Sequence, residues 1–534
     1  MMTSRQVKSR KAYDDRLPAG LGQKFREELS GLVDGDDFKS GYLRDELFSK
    51  YLDPKIVPPS QRREAAVTKW LKCEQSNVST NGRLLVHSAD FGYMTSEQMF
   101  SRIRKLIGEI LGVRAERTLP MCLLKAAGIL QLVPHTNGAS TRVKRSPKAA
   151  ISKLAGEAHV TREAKPYWDF LVKGTLLESQ EATLVEGSVM FTVDKKTDID
   201  RVACKEPEIN MSLQRGVGEF IRRRLRRVGV NLNDQTVNQR LAQQALDLGL
   251  ATVDLSSASD TITEQLVTNC VPFWLYSLLD DLRVKQTRLP EPRNTNHRLA
   301  MFSSMGNGFT FELESLLFYA ITRVVARSSR VKGRISVYGD DIICSSRLVP
   351  RLSRVFHYLG FRINLKKSHF RGYFRESCGK HYYRGLDVSP FYIRREVDTV
   401  SDLILHLNHL LEWDSRDGVG GNYPFFTDIA LLEFHERWAQ HVPSKLWGGY
   451  DVESNGSLVT GHAPRRRLVP RMQSLRGIDH NAAMHYWFMV ATFRESREAL
   501  EVMPKGSFGL VVRRNPKPPL GQRNAWCPYG LRNP

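Results

Sequence analysis

The sequence predicts an α+β fold, and three observations carry that prediction. Short helix-period apolar patterning runs through residues 1–55 and returns after about Asp260. Gly249-Leu-Ala-Thr-Val-Asp254-Leu reads as a buried strand that ends on an acid. Arg334-Ile-Ser-Val-Tyr338 and Asp341-Ile-Ile-Cys-Ser345 are two β-forming runs around Gly339-Asp340, a natural tight-turn pair, and so predict a hairpin. The chain has 534 residues, 41% hydrophobic and 25% charged. That supports a sizeable core, either as roughly three or four globular units or as one lobed enzyme.

Between these elements the chain alternates basic loops with helices. Residues 131–166 turn basic and loop-like, with Arg142, Lys144, Arg145 and Lys148 close together. Residues 195–227 hold ten basic and five acidic residues and end in Phe220-Ile-Arg-Arg-Arg-Leu-Arg-Arg227, a helix with one arginine-rich face. Leu266 to Leu279 is the longest apolar stretch, but Thr268, Asn269 and Pro272 break it, so no membrane span is expected. The glycine-rich run at 416–423 lacks a preceding strand and reads as a plain loop. Residues 461–534 carry 13 basic and 4 acidic residues among many prolines and read as a loosely ordered basic end.

Charge narrows the function classes. Lys and Arg number 79 against 57 Asp and Glu, a formal net charge of +22. A surplus of that size on a folded protein points to a polyanionic partner, most often nucleic acid. The seven cysteines (Cys73, Cys122, Cys204, Cys270, Cys344, Cys378, Cys527) are widely scattered and include no CxxC pair, so neither a zinc ribbon nor a disulfide framework is indicated, which fits a reducing cytoplasm. The basic N-terminus lacks the apolar stretch of a signal peptide. His435 and His441 are six residues apart, the wrong helical spacing for two ligands on one face.

Two adjacent aspartates at the tip of a hairpin are an odd use of charge, because like charges so close repel unless a cation lies between them. Asp254 offers a third carboxylate at the end of another strand, 86 residues upstream of Asp340. If the strands are neighbours, three oxygen donors converge, and the expected ions are Mg2+ or Mn2+. Two such ions about 3.5–4 Å apart activate an attacking hydroxyl and stabilise a leaving pyrophosphate.

With these strings in view, the sequence resembles the RNA-directed RNA polymerases, and most closely the replicase β subunits of the single-stranded RNA bacteriophages, the leviviruses. The strings are Ala251-Thr-Val-Asp-Leu-Ser-Ser-Ala-Ser-Asp260, Ser304-Met-Gly-Asn-Gly-Phe-Thr-Phe-Glu-Leu-Glu-Ser315, Tyr338-Gly-Asp-Asp-Ile-Ile-Cys344 and Phe374-Arg-Glu-Ser-Cys-Gly-Lys380. Arg201-Val-Ala-Cys-Lys-Glu-Pro207 and Asn233-Asp-Gln-Thr-Val-Asn-Gln-Arg240 join them. The resemblance runs clearly from about 190 to 395 and thins on both sides.

The resemblance implies a right-hand polymerase: a helical region over 1–55, fingers over 56–240, a palm over 241–395, and a thumb with the basic C-terminal region over 396–534. It makes Asp254, Asp340 and Asp341 the ligands of two Mg2+ ions, with Mn2+ able to substitute. Lys195, Lys196, Arg201 and Lys205 match the basic fingers motif that holds the triphosphate. Lys366 and Lys367 follow the hairpin at the distance of the palm's fourth motif, as candidate proton donors to pyrophosphate. Small residues follow Asp254, so no bulky gate rejects a ribose 2′-hydroxyl; Ser259 or Asp260 senses the ribose. Gly306 in the Met305–Gly308 turn lets backbone approach template or nucleotide closely, and Asn307 or Thr310 bonds the incoming ribose. Phe374 to Gly385 would grip the growing 3′ end. Arg142, Lys144, Arg145, Arg222, Arg223 and Arg226 are candidate RNA contacts.

The expected partners are RNA template and product, NTPs and, by resemblance, host elongation factors Tu and Ts and a small-subunit ribosomal protein, in the cytoplasm of an infected bacterium. Two alternatives stand beside this reading. A reverse transcriptase has the same fold, although the small residues after Asp254 and glycine at 339 argue against it. A non-catalytic RNA-binding protein explains the charge but not three converging aspartates.

Overall fold

The computed structural model describes residues 15–33, 37–53, 56–112, 136–146, 149–154, 156–174, 176–416, 426–443, 446–449 and 458–459. The basic residues 461–534, residues 417–423 of the glycine-rich run and Lys148 lie outside the described residues. The chain divides into two compact units. The described residues of one fall within 54–387, and those of the other within 1–53 and 388–474.

The larger unit is built around the helix Thr310–Ser328. Its apolar residues recur all round rather than on one stripe, and fifteen of its nineteen residues are buried. Phe318 on this helix meets Phe356 and Phe361 edge-on, at centroid separations of 5.8 and 5.0 Å. Such edge-to-face contacts add roughly 1 kcal/mol each beyond area burial.

A three-stranded antiparallel sheet lies against this core, in the order Leu250–Val253, Asp341–Ser345, Ser336–Tyr338. Leu250–Val253 is buried along its whole length, as its unbroken apolar run predicts. Its outer edge is not bare: Thr252 bridges His369 and Leu255 bridges Ile363. The predicted hairpin is present, with Tyr338 paired to Asp341 across a two-residue turn.

A four-stranded sheet runs Arg201–Lys205, Ser188–Val193, Gln286–Arg288, Asn296–Arg298. Phe374–Ser377, Lys380–Tyr383 and Leu386–Asp387 form a separate antiparallel sheet, so the 374–385 segment is a hairpin as read. Pro272 separates two helices, Glu264–Cys270 and Phe273–Leu282, where the sequence showed one broken apolar stretch. Among the described residues no helix is long and apolar enough to cross a membrane.

The smaller unit is helical. Leu21–Leu32 and Phe38–Glu46 share one core with Val400–Ser415 and Ile429–Ala439, centred on Phe25, Leu407, Phe434 and Trp438. The N-terminal helices therefore belong with chain from beyond residue 388, a pairing that no local pattern announces. His435 is buried in the helix Ile429–Ala439, an ordinary core histidine.

Candidate active site

Strand pairing brings the aspartates together. Val253 is the register partner of Ile342, so Asp254 and Asp341, one residue beyond each, sit side by side where two antiparallel strands meet. Asp340 occupies the exposed turn next to them. The turn needs Gly339: its φ is 61°, and a Cβ there would stand 2.7 Å from the Phe311 ring. The Gly339 N–H donates to Ser315 Oγ at 3.0 Å, which ties the turn to the central helix.

Asp254 is held by the segment after the hairpin. Its N–H donates to Ser368 Oγ at 3.0 Å, its carbonyl accepts from Asn364 N–H at 2.9 Å, and its Oδ1 accepts from Asn364 Nδ2 at 3.0 Å. Lys367 Nζ lies 3.9 Å from both Asp254 Oδ2 and Glu376 Oε1. Lys366 is exposed and has no ion partner among the described residues. Asp341 Oδ2 accepts from Cys378 N–H at 3.2 Å, which links the site to the 374–385 hairpin. Asn238 Nδ2 donates to the Asp341 carbonyl at 3.2 Å, and Asn238 Oδ1 accepts from Ser336 Oγ at 2.6 Å.

The carboxyls resist ionisation. Burial raises Asp254, with Asp340 adding to the effect against the pull of Lys367. Burial and then the Asp340 charge push Asp341 up to about 7. Glu314, buried on the central helix, is held well above its ordinary value by burial and by Asp340, Asp260 and Asp341. Among the described residues no three His, Cys, Asp or Glu side chains stand close enough to form a ready ligand set. The aspartates nonetheless act on one another, with Asp340 raising both Asp254 and Asp341, so negative charge is concentrated beside the hairpin turn. A divalent cation relieves such a crowd, and carboxylate oxygens are the donors that Mg2+ and Mn2+ prefer.

Beside this crowd stands the opposite one. The loop between Ser188–Val193 and Arg201–Lys205 presents Lys195, Lys196 and Arg201, all exposed. Desolvation, then Arg201, Lys69, Lys196 and Lys367, lower Lys195 to about 8. A phosphate beside it would favour its charged form. Lys205 is turned differently, its Nζ 5.2 Å from the centroid of the Phe191 ring. Asp260 lies between the two crowds, pushed up to about 6 by burial against the pull of Lys195, Lys69 and Arg201. Asn77 Nδ2 holds the Asp260 carbonyl at 2.8 Å. Ser259 opens the short 3-10 turn Ser259–Thr261 and is half-buried, while Ser257 has a φ of 53°.

The remaining predicted residues divide. Thr310 Oγ1 donates within the fold, to Ser303 Oγ at 2.9 Å or the Ser304 carbonyl at 3.0 Å, which leaves it little for a ribose. Asn307 Oδ1 accepts from Phe309 N–H at 3.0 Å, while its buried Nδ2 has no partner. The close approach that Gly306 permits is to protein: a Cβ there would lie 2.0 Å from the Cys204 carbonyl oxygen. Arg222 is spent internally on Glu312 Oε1 (3.0 Å from its Nε), the Leu232 carbonyl and Asn233. It braces the start of the central helix. Arg223 and Arg226 are exposed on the helix Glu208–Arg227. Arg142 donates to the Ser152 carbonyl at 2.8 Å and lies 3.9 Å from Glu208, while Lys144 and Arg145 are exposed.

Comparison with known proteins shows the family. Residues 6–486 match the family model described as RNA replicase, beta-chain. The chain belongs to the RNA replicase beta-chain family. It is 38% identical over 466 residues to the RNA-directed RNA polymerase beta chain of Escherichia phage MS2, covering 83% of this chain and 81% of that one. The counterpart from Enterobacteria phage fr is 40% identical over 440 residues, covering 80% and 76%. The RNA-directed RNA polymerase subunit beta of Escherichia virus Qbeta is 39% identical over 388 residues, covering 72% and 64%. This replicase chain is therefore an RNA-directed RNA polymerase of the RNA phages.

Sequence reading missed several residues that surround this candidate site. Ser368, Glu314 and Glu376 sat in or beside the quoted strings without being singled out. Glu74 and Asn77 come from the helix Pro59–Leu85, where the resemblance was thin. Glu74 is buried and accepts from the N–H groups of Ala300 (2.7 Å) and Met301 (2.9 Å) and from Asn77 Nδ2 (3.0 Å).

Glu206 was missed too, and it supports a prediction. It is fully buried, and Oε2 accepts from Gln214 Nε2 at 2.8 Å. Gln214 Oε1 in turn accepts from Gly308 N–H at 2.9 Å. Burial pushes Glu206 from 4.5 up to about 7. The folded state therefore holds a proton that the unfolded chain releases near pH 4.5, so this contribution to stability is lost as pH rises toward 7. Glu206→Gln should remove up to about 3 kcal/mol of that loss at pH 8 and little at pH 4. Thermal unfolding of both proteins at the two pH values checks this, and an equal loss in both would sink it.

Proposed function

We propose that this polymerase copies a single-stranded RNA phage genome by two-metal nucleotidyl transfer from NTPs, releasing pyrophosphate. The observation that carries the reading is the meeting of Asp254 and Asp341 across paired strands, with Asp340 in the turn and a lysine-arginine loop facing them. Asp254, Asp340 and Asp341 would hold two Mg2+ ions, or Mn2+ in their place, which when bound supply charge neutralisation at the reacting phosphate.

The chain's own groups do the rest. The 3′-hydroxyl of the growing strand attacks the α-phosphorus, and the bond from that phosphorus to the bridging oxygen of pyrophosphate breaks. Lys195, Lys196 and Arg201 bind the triphosphate and offset charge gathering on pyrophosphate. Lys367, engaged by Asp254 and Glu376, orients Asp254. Lys366 is the freer of the pair to give a proton to the leaving group. Asp260, beside Lys195 and Arg201, and Asn307, with an unsatisfied amide, are the groups suited to the ribose; Ser259 is the smaller alternative.

The fingers, palm and thumb correspond to 56–240, 241–395 and 396–534. Elongation factors Tu and Ts and a small-subunit ribosomal protein are the proposed host partners, in the bacterial cytoplasm. The test is template-directed incorporation on an RNA template, with NTPs compared against dNTPs, with Mg2+ and with chelator. Incorporation of NTPs alone, lost with chelator and restored by Mg2+ or Mn2+, is expected. Equal use of dNTPs, or synthesis in chelator, would overturn the reading.

A further inference from the structure

A second basic feature lies far from the aspartates. A cleft of about 710 Å3 is lined by Phe91, Tyr93, Ser328, Arg330, Arg351 and Arg354, among others, and by no acidic residue. The nearest acid in sequence, Asp90, is occupied with the Gly92 N–H at 2.8 Å. Arg102 reaches the same place, its Nη1 donating to Ser328 Oγ at 2.8 Å.

The local sequence is as one-sided as the lining. From Arg327 to Arg354 there are seven basic residues, and the only acids are the two aspartates of the hairpin turn. Arg351 and Arg354 are one turn apart on the helix Val349–Leu359, both exposed. Arg330, Arg351 and Arg354 are all exposed, and no described carboxylate pairs with any of them.

The cleft also offers flat rings. Phe91 meets Tyr358 edge-on at a centroid separation of 5.7 Å and lies tilted against Tyr93 at 6.4 Å. Tyr93 Oη, close enough to Arg351 and Arg354 to feel their charge, is buried without a hydrogen-bond partner. Guanidinium groups for phosphates and aromatic faces for bases are the combination by which proteins hold single-stranded nucleic acid.

The central helix serves as a ruler. Ser315 bonds the hairpin turn, and Ser328, thirteen residues on, lines the cleft. At 1.5 Å per residue the two are about 20 Å apart. We propose that this cleft is a second binding site for single-stranded RNA, separate from the site of synthesis, that holds template or product strand outside it.

The test is binding of a labelled single-stranded RNA oligonucleotide to the full chain across a salt series. Arg351→Glu with Arg354→Glu should weaken binding at least tenfold and lower the slope of log K against log salt by about 1.4, two phosphates at about 0.7 each. Arg351→Lys with Arg354→Lys should restore the slope. Arg162→Glu with Lys173→Glu, exposed and outside the cleft, should change affinity less than threefold.

Nucleotide addition on a short primed template should stay unchanged in the cleft variants, which separates this site from the catalytic one. Unchanged affinity and slope in the charge-reversal pair would overturn the proposal. An equal loss in the control pair would do the same, because the effect would then be net charge alone. Displacement of the RNA by polyglutamate as readily as by unlabelled RNA would make the occupant an acidic protein, and the proposal would fall.

Discussion

Replacing Asp340 by asparagine is expected to cut nucleotide addition by about a thousandfold or more, roughly 4 kcal/mol of barrier, while RNA binding and melting temperature hold. The change is nearly isosteric and sits in an exposed turn whose conformation is set by Gly339. Surface changes of that kind cost under about 0.5 kcal/mol of stability. What is removed is charge, and it is removed where charge is most crowded. Asp340 raises the pKa of Asp341, Asp254 and Glu314. The substitution should therefore also let Asp341 titrate nearer the ordinary carboxylate range in metal-free protein, which carboxyl-labelled NMR can follow. Retention of a tenth or more of the activity would remove Asp340 from the metal set. Loss of RNA binding along with activity would mean that the turn supports the fold.

The placement of the three aspartates was legible because they lie in short contiguous strings. Tyr338-Gly-Asp-Asp encodes its own hairpin, since the turn residues and the β-forming flanks are adjacent. Asp254 was legible because a strand buried along its length must end somewhere, and an acid is a conspicuous end. The props were not legible, because they act through tertiary contacts that no local pattern records. Asn364 and Ser368 hold Asp254 from 110 and 114 residues away. Arg222 looked like one of a row of RNA-facing arginines, since a helical charge run is the same on paper whether or not one member is paired. Glu312, 90 residues on, decides it. The shared core of the N-terminal helices with described residues between 391 and 458 was hidden for the same reason: amphipathic helices state that they need a partner but not which one.

Gly306 is where sequence and structure agree on the residue and differ on the reason, and alanine there should be severely damaging. The φ is 120°, a conformation that costs any other residue. The added Cβ would lie 2.0 Å from the Cys204 carbonyl oxygen and 3.1 Å from its carbon, so backbone rather than a flexible side chain must give way. That backbone is itself held, because Cys204 N–H donates to the Met305 carbonyl at 2.7 Å. If the turn moves, Asn307 and the cap at Phe309 N–H move with it, and so does the start of the helix whose Ser315 holds the hairpin turn at Gly339. Gly306→Ala should cost roughly 3–5 kcal/mol of stability and more than a hundredfold in nucleotide addition. Gly82→Ala is the matched contrast. It lies inside the helix Pro59–Leu85 with nothing within 4 Å of its Cβ position, so it should be neutral or stabilise by up to about 1 kcal/mol. Thermal unfolding and single-nucleotide addition, measured on both variants, separate the two cases. If Gly306→Ala melts with the parent, the strand at Cys204 can yield, and the glycine is there for the ligand after all.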